Sequence, residues 1–406
     1  MISEHVYVVE AVGTGHRVSP VSGTATLDES WSPYAQGDLT IPLPADSAVL
    51  GALDPREDAR VRLTLTQRFG EAFTLADVTA GSGSSIAAWT ADLAGGSLGT
   101  WSERYGRPYN AAGLRPSTRR RLNLGVRRRN ARYAEGVVDL ELASDEALLQ
   151  DYALAETTPA QPAGATVRQA AQMVLARIGA VLGDGPDDGP IEADAAPWMP
   201  GQTAWDYIVP LVQSAGLRLY CDEHRTWHLV QPLAPTAGGL ALSGATMTVL
   251  EDQLSRDDGW YDAVVITYRW RDTSDVERVR YDVATTENYT KTLALEYDRP
   301  YPGPGAAASI LARARGRGRI EAATTVSDYS AQPGQAVSVT ATGIPIQTGI
   351  TTRVTWDLTT DEMQVRTRDL IDTPPNAWVL APAGLRWTDV PAGTSWNDFD
   401  LTEVGN

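Results

Sequence analysis

The sequence predicts a mainly β protein with an α/β insert, in which two β domains flank a small α+β domain, and the strands of the first favour a small barrel or a sandwich. Short segments in which apolar and polar residues alternate occupy both ends of the chain, which is the pattern of half-buried strands. Two helical apolar patterns and a hairpin pattern lie between them. The predicted limits are 1–155 for the first β domain, 156–243 for the α/β domain, 244–373 for the second β domain and 374–406 for a C-terminal tail.

The second half of the α/β domain predicts a helix followed by a β-hairpin. Thr203 is a suitable N-cap, and the apolar residues after it recur at helical spacing. Pro210 removes one backbone hydrogen bond and is expected to kink this helix, which Gly216 ends with a left-handed cap. Alternation at 217–221 and 227–230 then predicts two strands around a turn.

An earlier helix of the same domain begins at a capping box. Thr166 is followed three residues later by Gln169, so each side chain can bond the other residue's backbone N–H. The apolar residues between Val167 and Ile178 share one helical face. The α/β domain is therefore expected to contain two helices and one hairpin.

Strands dominate the two flanking domains. The clearest pattern is Val61, Leu63 and Leu65 alternating with polar residues. The first domain is predicted to contain strands at 5–12, 23–27, 38–43, 60–67, 121–126 and 136–142, followed by a short helix capped by Ser144. The second is predicted to contain a hairpin of 262–270 and 276–284, a helix at 306–315, and strands at 322–327, 336–341, 350–358 and 362–368.

Two segments depart from this pattern. A Gly/Ser-rich excursion at 80–116 contains four large aromatic residues, and a loop of that length is usually functional or disordered. In the C-terminal tail, the residues Trp387-Thr-Asp-Val recur nine positions later as Trp396-Asn-Asp-Phe. Exposed tryptophans in a tail favour docking on another surface.

Composition excludes several classes of protein. The chain has 406 residues and a formal net charge of −17, which argues against a nucleic-acid-binding protein because phosphates would be repelled. No run approaches the roughly 20 apolar residues that cross a bilayer, and the N-terminus lacks the pattern of a signal peptide. The single cysteine, Cys221, excludes an internal disulfide framework and is expected to be a buried small hydrophobic residue.

No motif in the sequence predicts catalysis or cofactor binding. Cys221, His224 and His228 have the spacing of half a zinc site, but no second ligand pair accompanies them, so a structural role is favoured. There is no nucleophile elbow and no His-Glu-x-x-His sequence. A carboxylate pair for glycoside hydrolysis stays open, because such a pair forms only in space. We expect no enzyme activity, no cofactor and no bound metal.

Arginines are crowded into one stretch of this acidic chain. Only one of the 34 basic residues is a lysine, Lys291, and eight arginines lie between 115 and 132. Because arginine pairs with carboxylates in bidentate geometry, a subunit or partner interface is predicted, with a solvated loop or a phosphate site as alternatives. The predicted interface residues are Arg119, Arg120, Arg121, Arg127, Arg128, Arg129, Trp387 and Trp396.

Several segments resemble one family of structural proteins. These are RVRLTLTQRF at 60–69, LNLGVRRR at 122–129, EGVVDLELASDEALLQDYAL at 135–154, the stretch 203–230, and the two tryptophan motifs of the tail. Together with the domain order, they resemble the minor tail proteins of long-tailed actinobacterial phages, of the tail-tip (baseplate) hub type.

The resemblance implies a hub-like fold with two related β-barrel domains in each subunit. It implies a homotrimer whose six similar domains match the six-fold tail tube or the distal-tail ring. Other tail-tip proteins and the tape measure protein are implied as partners. DNA would pass through the channel without specific binding, because an acidic wall repels phosphates. The implied location is the virion, after assembly in the host cytoplasm.

Two other functions stay open at this stage. Trp89, Trp101, Trp387 and Trp396 could stack on sugars, which would make the chain a host-surface glycan-binding tail protein. A cell-wall hydrolase is the third possibility. In related hubs an enzymatic domain is added to the two β domains, and we expect the 406 residues to leave no room for one.

Overall fold

A computed structural model describes residues 3–69 and 118–373, apart from 163, 165, 187–188, 232–235, 245, 257–258, 273 and 316–318. The fold is mainly β with a small α+β unit in the middle of the chain, which confirms the predicted fold class. The excursion at 80–116 and the tail at 374–406 lie outside the described residues.

The first β region contains seven strands in its described part. They are β1 (Ser3–Ala11), β2 (His16–Val18), β3 (Ser22–Asp28), β4 (Ala35–Pro42), β5 (Arg60–Phe69), β6 (Thr118–Arg132) and β7 (Val137–Ala143). A short helix α1 (Ser47–Gly51) and a 3-10 turn (Pro55–Glu57) precede β5, and α2 (Glu146–Asp151) follows β7.

The α+β unit matches its sequence prediction closely. Its elements are α3 (Val167–Arg177), a 3-10 turn (Ala193–Ala195), α4 (Ala204–Ser214), β8 (Arg218–Cys221) and β9 (Trp227–Val230). The Thr166 side chain accepts from the N–H of Gln169 in a complete capping box. The Thr203 hydroxyl accepts from the N–H of Asp206 at 3.0 Å. Gly216 ends α4 in the left-handed region at φ 70°, as expected of a residue without a Cβ.

The second β region contains nine strands and one helix among the described residues. They are β10 (Thr236–Ser243), β11 (Met247–Leu254), β12 (Ala263–Arg271), β13 (Glu277–Thr285), β14 (Thr292–Tyr297), α5 (Ala306–Arg315), β15 (Arg319–Val326), β16 (Gln335–Thr340), β17 (Ile346–Asp357) and β18 (Glu362–Thr373). The predicted hairpins β12–β13 and β17–β18 and the predicted helix α5 are confirmed.

Strand β17 joins the two β regions into one hydrogen-bonded sheet. Its first half pairs with β16, and its second half pairs with β3 from Arg353 to Asp357, while β18 follows its other side. In the described part of the chain, thirteen strands therefore form one sheet in the order β11-β15-β18-β17-β3-β4-β7-β6-β5-β1-β2, with β16 and its parallel partner β10 branching from β17.

The register shifts along β17 explain how one strand serves two partners. Shifts occur between Thr348 and Ile350 and between Thr351 and Arg353, in the part where the partner changes from β16 to β3. Bulges of this kind bend a strand and increase its twist. These shifts belong to the ladder of β17 with β18, and β17 stays paired with β18 on both sides of the point where its other neighbour changes.

Three hydrophobic cores lie under these sheets. The largest is built from both β regions and contains Leu27, Leu63, Leu124, Val354 and Trp356, each essentially inaccessible to solvent. The second belongs to the α+β unit. The third lies between α5 and a separate sheet of order β13-β12-β14. The two β regions thus share a core, and the domain limits at 155/156 and 243/244 stay predictions.

Replacing Thr203 with alanine is expected to lower the free energy of unfolding by about 1 kcal/mol, because the N–H of Asp206 loses its cap. The urea midpoint measures this change. Thr360→Ala is the matched control, since Thr360 is exposed and its side chain makes no hydrogen bond within the described residues. Equal midpoints for the two variants would contradict the assigned cap.

Candidate partner interface

The described arginines of the predicted interface all lie on one strand, β6, and not on a loop. Side chains of a strand alternate between its two faces, so the arginines are divided between interior and surface. Arg120 points inward and is buried, whereas Arg119 and Arg121 point outward. The loop of the alternative prediction is therefore wrong for these residues, whereas the partner interface itself stays a prediction.

Arg120 connects three parts of the chain. Its Nη1 donates to Oε1 of Glu223, in the β8–β9 turn, at 2.5 Å, and its Nε donates to the carbonyl of Tyr329 at 2.8 Å. The guanidinium also lies over the ring of Trp356, 5.3 Å from its centre. Both charged side chains of the pair are 9% exposed. Arg120 thus holds the α+β unit and the second β region against the first.

A second polar network crosses the same boundary. Nδ1 of His5 lies 2.7 Å from the Tyr329 hydroxyl, which lies 2.9 Å from the Tyr7 hydroxyl. Tyr7 in turn donates to Asp361, in the β17–β18 turn, at 2.5 Å. Burial raises the pKa of Tyr329 to about 12 and lowers the pKa of His5. These side chains tie β1 to the second β region.

The arginines at the other end of β6 make separate local contacts. A register shift between Val126 and Arg128 re-aims the side chains that follow. Arg127 pairs with Asp151 at 2.6 Å, Arg128 pairs with Glu141 at 2.9 Å, and Arg129 donates to the carbonyl of Leu50. These pairs are at least partly solvated, so each contributes little to stability.

Arg119 and Arg121 line a groove of about 340 Å³ on the outer surface of β1, β5 and β6. Its other lining residues are Val6, Val8, Glu10, Arg17, Arg62, Thr64 and Thr66. Glu10 pairs with Arg17 at 2.8 Å and with Arg62 at 3.0 Å. Among the described residues, no carboxylate forms an ion pair with Arg119 or Arg121. We call this surface the arginine face.

A buried carboxylate lies where the first β region meets the α+β unit. Glu146 is 1% exposed and accepts from the N–H of Tyr34 and from the hydroxyl of Ser144. Burial raises the pKa of Glu146 to about 7, although these donors and the nearby Arg218 oppose the shift. Glu146 and Arg218 line a cavity of about 200 Å³, and the Arg218 guanidinium stacks on Tyr220 at 4.4 Å.

The predicted structural role of Cys221 agrees with its position in the core. The side chain is fully buried, and burial raises the pKa of its thiol. Nε2 of His228 lies 2.8 Å from Oδ2 of Asp222, and the same carboxylate accepts from the backbone N–H of His224. In the ranges that the structure describes, no group of three His, Cys, Asp or Glu side chains is arranged for a metal ion.

Two of the predicted interface residues, Trp387 and Trp396, lie outside the described residues. Only part of the arginine face could be predicted from the sequence. Arg119 and Arg121 belong to the arginine cluster, whereas Arg62 joins them through the pairing of β5 with β6, and Arg17 joins them through the pairing of β1 with β2 and with β5. In the described ranges, no helix is long and apolar enough to span a membrane.

Comparison with solved structures shows the class of fold. The chain is similar to a tail protein from Neisseria meningitidis MC58, with a TM-score of 0.50 and 16% sequence identity over 90% of this chain and 96% of that one. It is also similar to a 43 kDa tail protein of prophage MuSo2 from Shewanella oneidensis, with a TM-score of 0.53 and 12% identity over 90% and 98%. The chain therefore has the fold of these tail proteins over nearly its whole length.

The sequence itself gives no comparable match. No protein-family model matches the chain, and no curated protein has a significantly similar sequence. At such low identity the likeness to the two tail proteins concerns backbone architecture alone.

Replacing Arg120 with methionine is expected to lower the free energy of unfolding by about 3 kcal/mol, because Glu223 would stay buried without its partner. The double variant R120M/E223M removes both charges and should recover part of this loss. Arg128→Met is the control, with an expected change below about 1 kcal/mol because its pair is exposed. Chemical denaturation measures all three, and similar losses in R120M and R128M would contradict the role of Arg120.

Glu146 is expected to make stability depend on pH. Its pKa is about 7 in the folded chain against 4.5 for an ordinary glutamate, so the folded state binds the proton more tightly. The stabilisation is fully present below pH 4.5 and is lost as the pH rises through about 7. The free energy of unfolding should fall by on the order of 3 kcal/mol over this range. Glu146→Gln should remove this part of the dependence in denaturation curves measured from pH 4.5 to 8. If the free energy of unfolding of the variant falls with pH as steeply as that of the parent chain, the prediction for Glu146 is wrong.

Proposed function

We propose that this chain is a structural component of a phage tail tip, a baseplate hub without enzyme activity. The observation that carries the proposal is the similarity of fold to two tail proteins over nine tenths of the chain. The sequence motifs at 60–69, 122–129, 135–154 and 203–230 support it independently, because they resemble tail-tip hub proteins. The same motifs, with arginine favoured over lysine, support a long-tailed phage of actinobacteria.

Three copies of the chain form a ring in this proposal. The hub closes or adapts the six-fold tail tube and meets the distal-tail ring, other tail-tip proteins and the tape measure protein. Large interfaces on several sides suit a chain whose described residues form a sheet of thirteen strands. The net charge of −17 suits a wall around a DNA channel, because phosphates slide past an acidic surface without adhering.

Two arginines near the far end of β6, Arg127 and Arg128, lie outside the arginine face and belong to the partner contacts of this hub. Arg119, Arg121, Arg127 and Arg128 are exposed, whereas Arg120 serves the chain's own interior. Exposed guanidinium groups suit a partner that offers carboxylates in bidentate geometry. Replacing such a residue should weaken assembly and leave the fold of the single chain intact.

The test is the copy number and position of the chain in phage particles that encode it. Quantitative mass spectrometry of purified virions should give about three copies per particle, and cryo-electron microscopy should place them in a ring at the tail tip. Mass photometry of the purified chain should give a species near three times the 43.6 kDa of one chain. Absence of the chain from purified virions would overturn the proposal.

A further inference from the structure

The arginine face is unusual for the chain that carries it. It presents Arg17, Arg62, Arg119 and Arg121 against a single carboxylate, that of Glu10, in a chain with a net charge of −17. Glu10 is already shared between Arg17 and Arg62. Arg119 and Arg121 are exposed and form no ion pair within the described ranges, so two guanidinium groups are available to a ligand.

The chemistry of this face suits a polypeptide that carries both carboxylates and large apolar side chains. Val6 and Val8 on β1 line the groove and lie across β5 from Arg119 and Arg121, since β5 pairs with β1 on one side and with β6 on the other. Apolar side chains next to arginines are the usual composition of a protein contact. The guanidinium groups can bind carboxylates in bidentate geometry and can also lie over aromatic rings.

The C-terminal segment 387–406 offers both partners. It carries four carboxylates, at Asp389, Asp398, Asp400 and Glu403, and contains no lysine or arginine. Its two tryptophan motifs each place an aspartate two residues after the indole and an apolar residue next to that aspartate. Each motif can therefore supply one carboxylate and two apolar side chains to the same surface.

The length of the chain permits this contact within one molecule. Strand β18 starts directly after Asp361, whose side chain is bonded to Tyr7 on β1. Its twelve residues carry the chain at most about 40 Å away from that point. The thirteen residues between Thr373 and Trp387 can span about 45 Å, which is enough to return to β1.

We propose that the arginine face is the docking site of the C-terminal segment 387–406 of the same chain. The aspartates pair with the guanidinium groups of Arg119 and Arg121, and the indole rings of Trp387 and Trp396 cover Val6 and Val8. A short tether raises the effective concentration of the segment to the millimolar range, so modest contacts are sufficient. The proposal does not depend on the function proposed above.

Disulfide trapping in the full-length chain tests the contact. Thr66→Cys places a thiol in the middle of the face, between Val6 and Arg119 in the strand register, and Val390→Cys places one in the first tryptophan motif. Cys221 is fully buried and does not compete. Under mild oxidation, peptide mapping should show an intrachain disulfide between these two cysteines. The control is the pair Thr24→Cys and Val390→Cys, in which Thr24 lies on β3. The disulfide at Thr66→Cys should form at least ten times faster than the disulfide of the control pair.

Charge variants in the same background test the specificity. R119E/R121E should slow the trapping at least tenfold, whereas R128E, the same change on the same strand outside the face, should leave it unchanged. Adding D389R/D398R to R119E/R121E should restore the rate. Three results would overturn the proposal. The first is an equal rate of disulfide formation at Thr66→Cys and Thr24→Cys, and the second is an interchain disulfide as the main product. The third is an unchanged rate in R119E/R121E, provided that this variant unfolds at the same urea concentration as its parent.

Discussion

Pairing of β17 with β3 is the constraint on which the rest of the architecture depends. It brings residues near the two ends of the described chain into one ladder, where the hydroxyls of Thr26 and Thr355 lie 3.0 Å apart. Because the ladder is continuous, Leu27 and Val354 belong to the same core and the two β regions cannot form separate interiors. Ordering so long an intervening chain costs conformational entropy. This cost is offset only when both regions bury their apolar faces together.

Buried charge then fixes how the α+β unit sits on this sheet. Arg120 and Glu223 are both almost fully excluded from water, and each would be costly to bury alone. Asp145 at the start of α2 plays a similar part, because Arg60 of β5 and Arg225 of the β8–β9 turn both pair with it. Such contacts specify one arrangement of the units, since a shifted arrangement would leave an unpaired charge in the interior.

Sequence patterns predicted the elements well where the signals were local, and poorly where they were not. Strands β10 and β14 were missed because their pairings are parallel and distant, and β10 begins with a Gly-rich stretch. Strand β11 was missed because most of its side chains are exposed, so no alternation marks it. The candidate interface was half predicted: Arg119 and Arg121 stood out by clustering, whereas Arg17 and Arg62 did not.

The sequence by itself determined the helix starts at Thr166 and Thr203, the hairpin of the α+β unit and the sheet character of both flanks. These features depend on residues a few positions apart, so the chain carries their signals locally. Only the tertiary structure decided that Arg120 is interior while its neighbours form a surface. That difference comes from partners 103 and 209 residues away, whose position depends on sheet pairing and on the exclusion of water from the shared core.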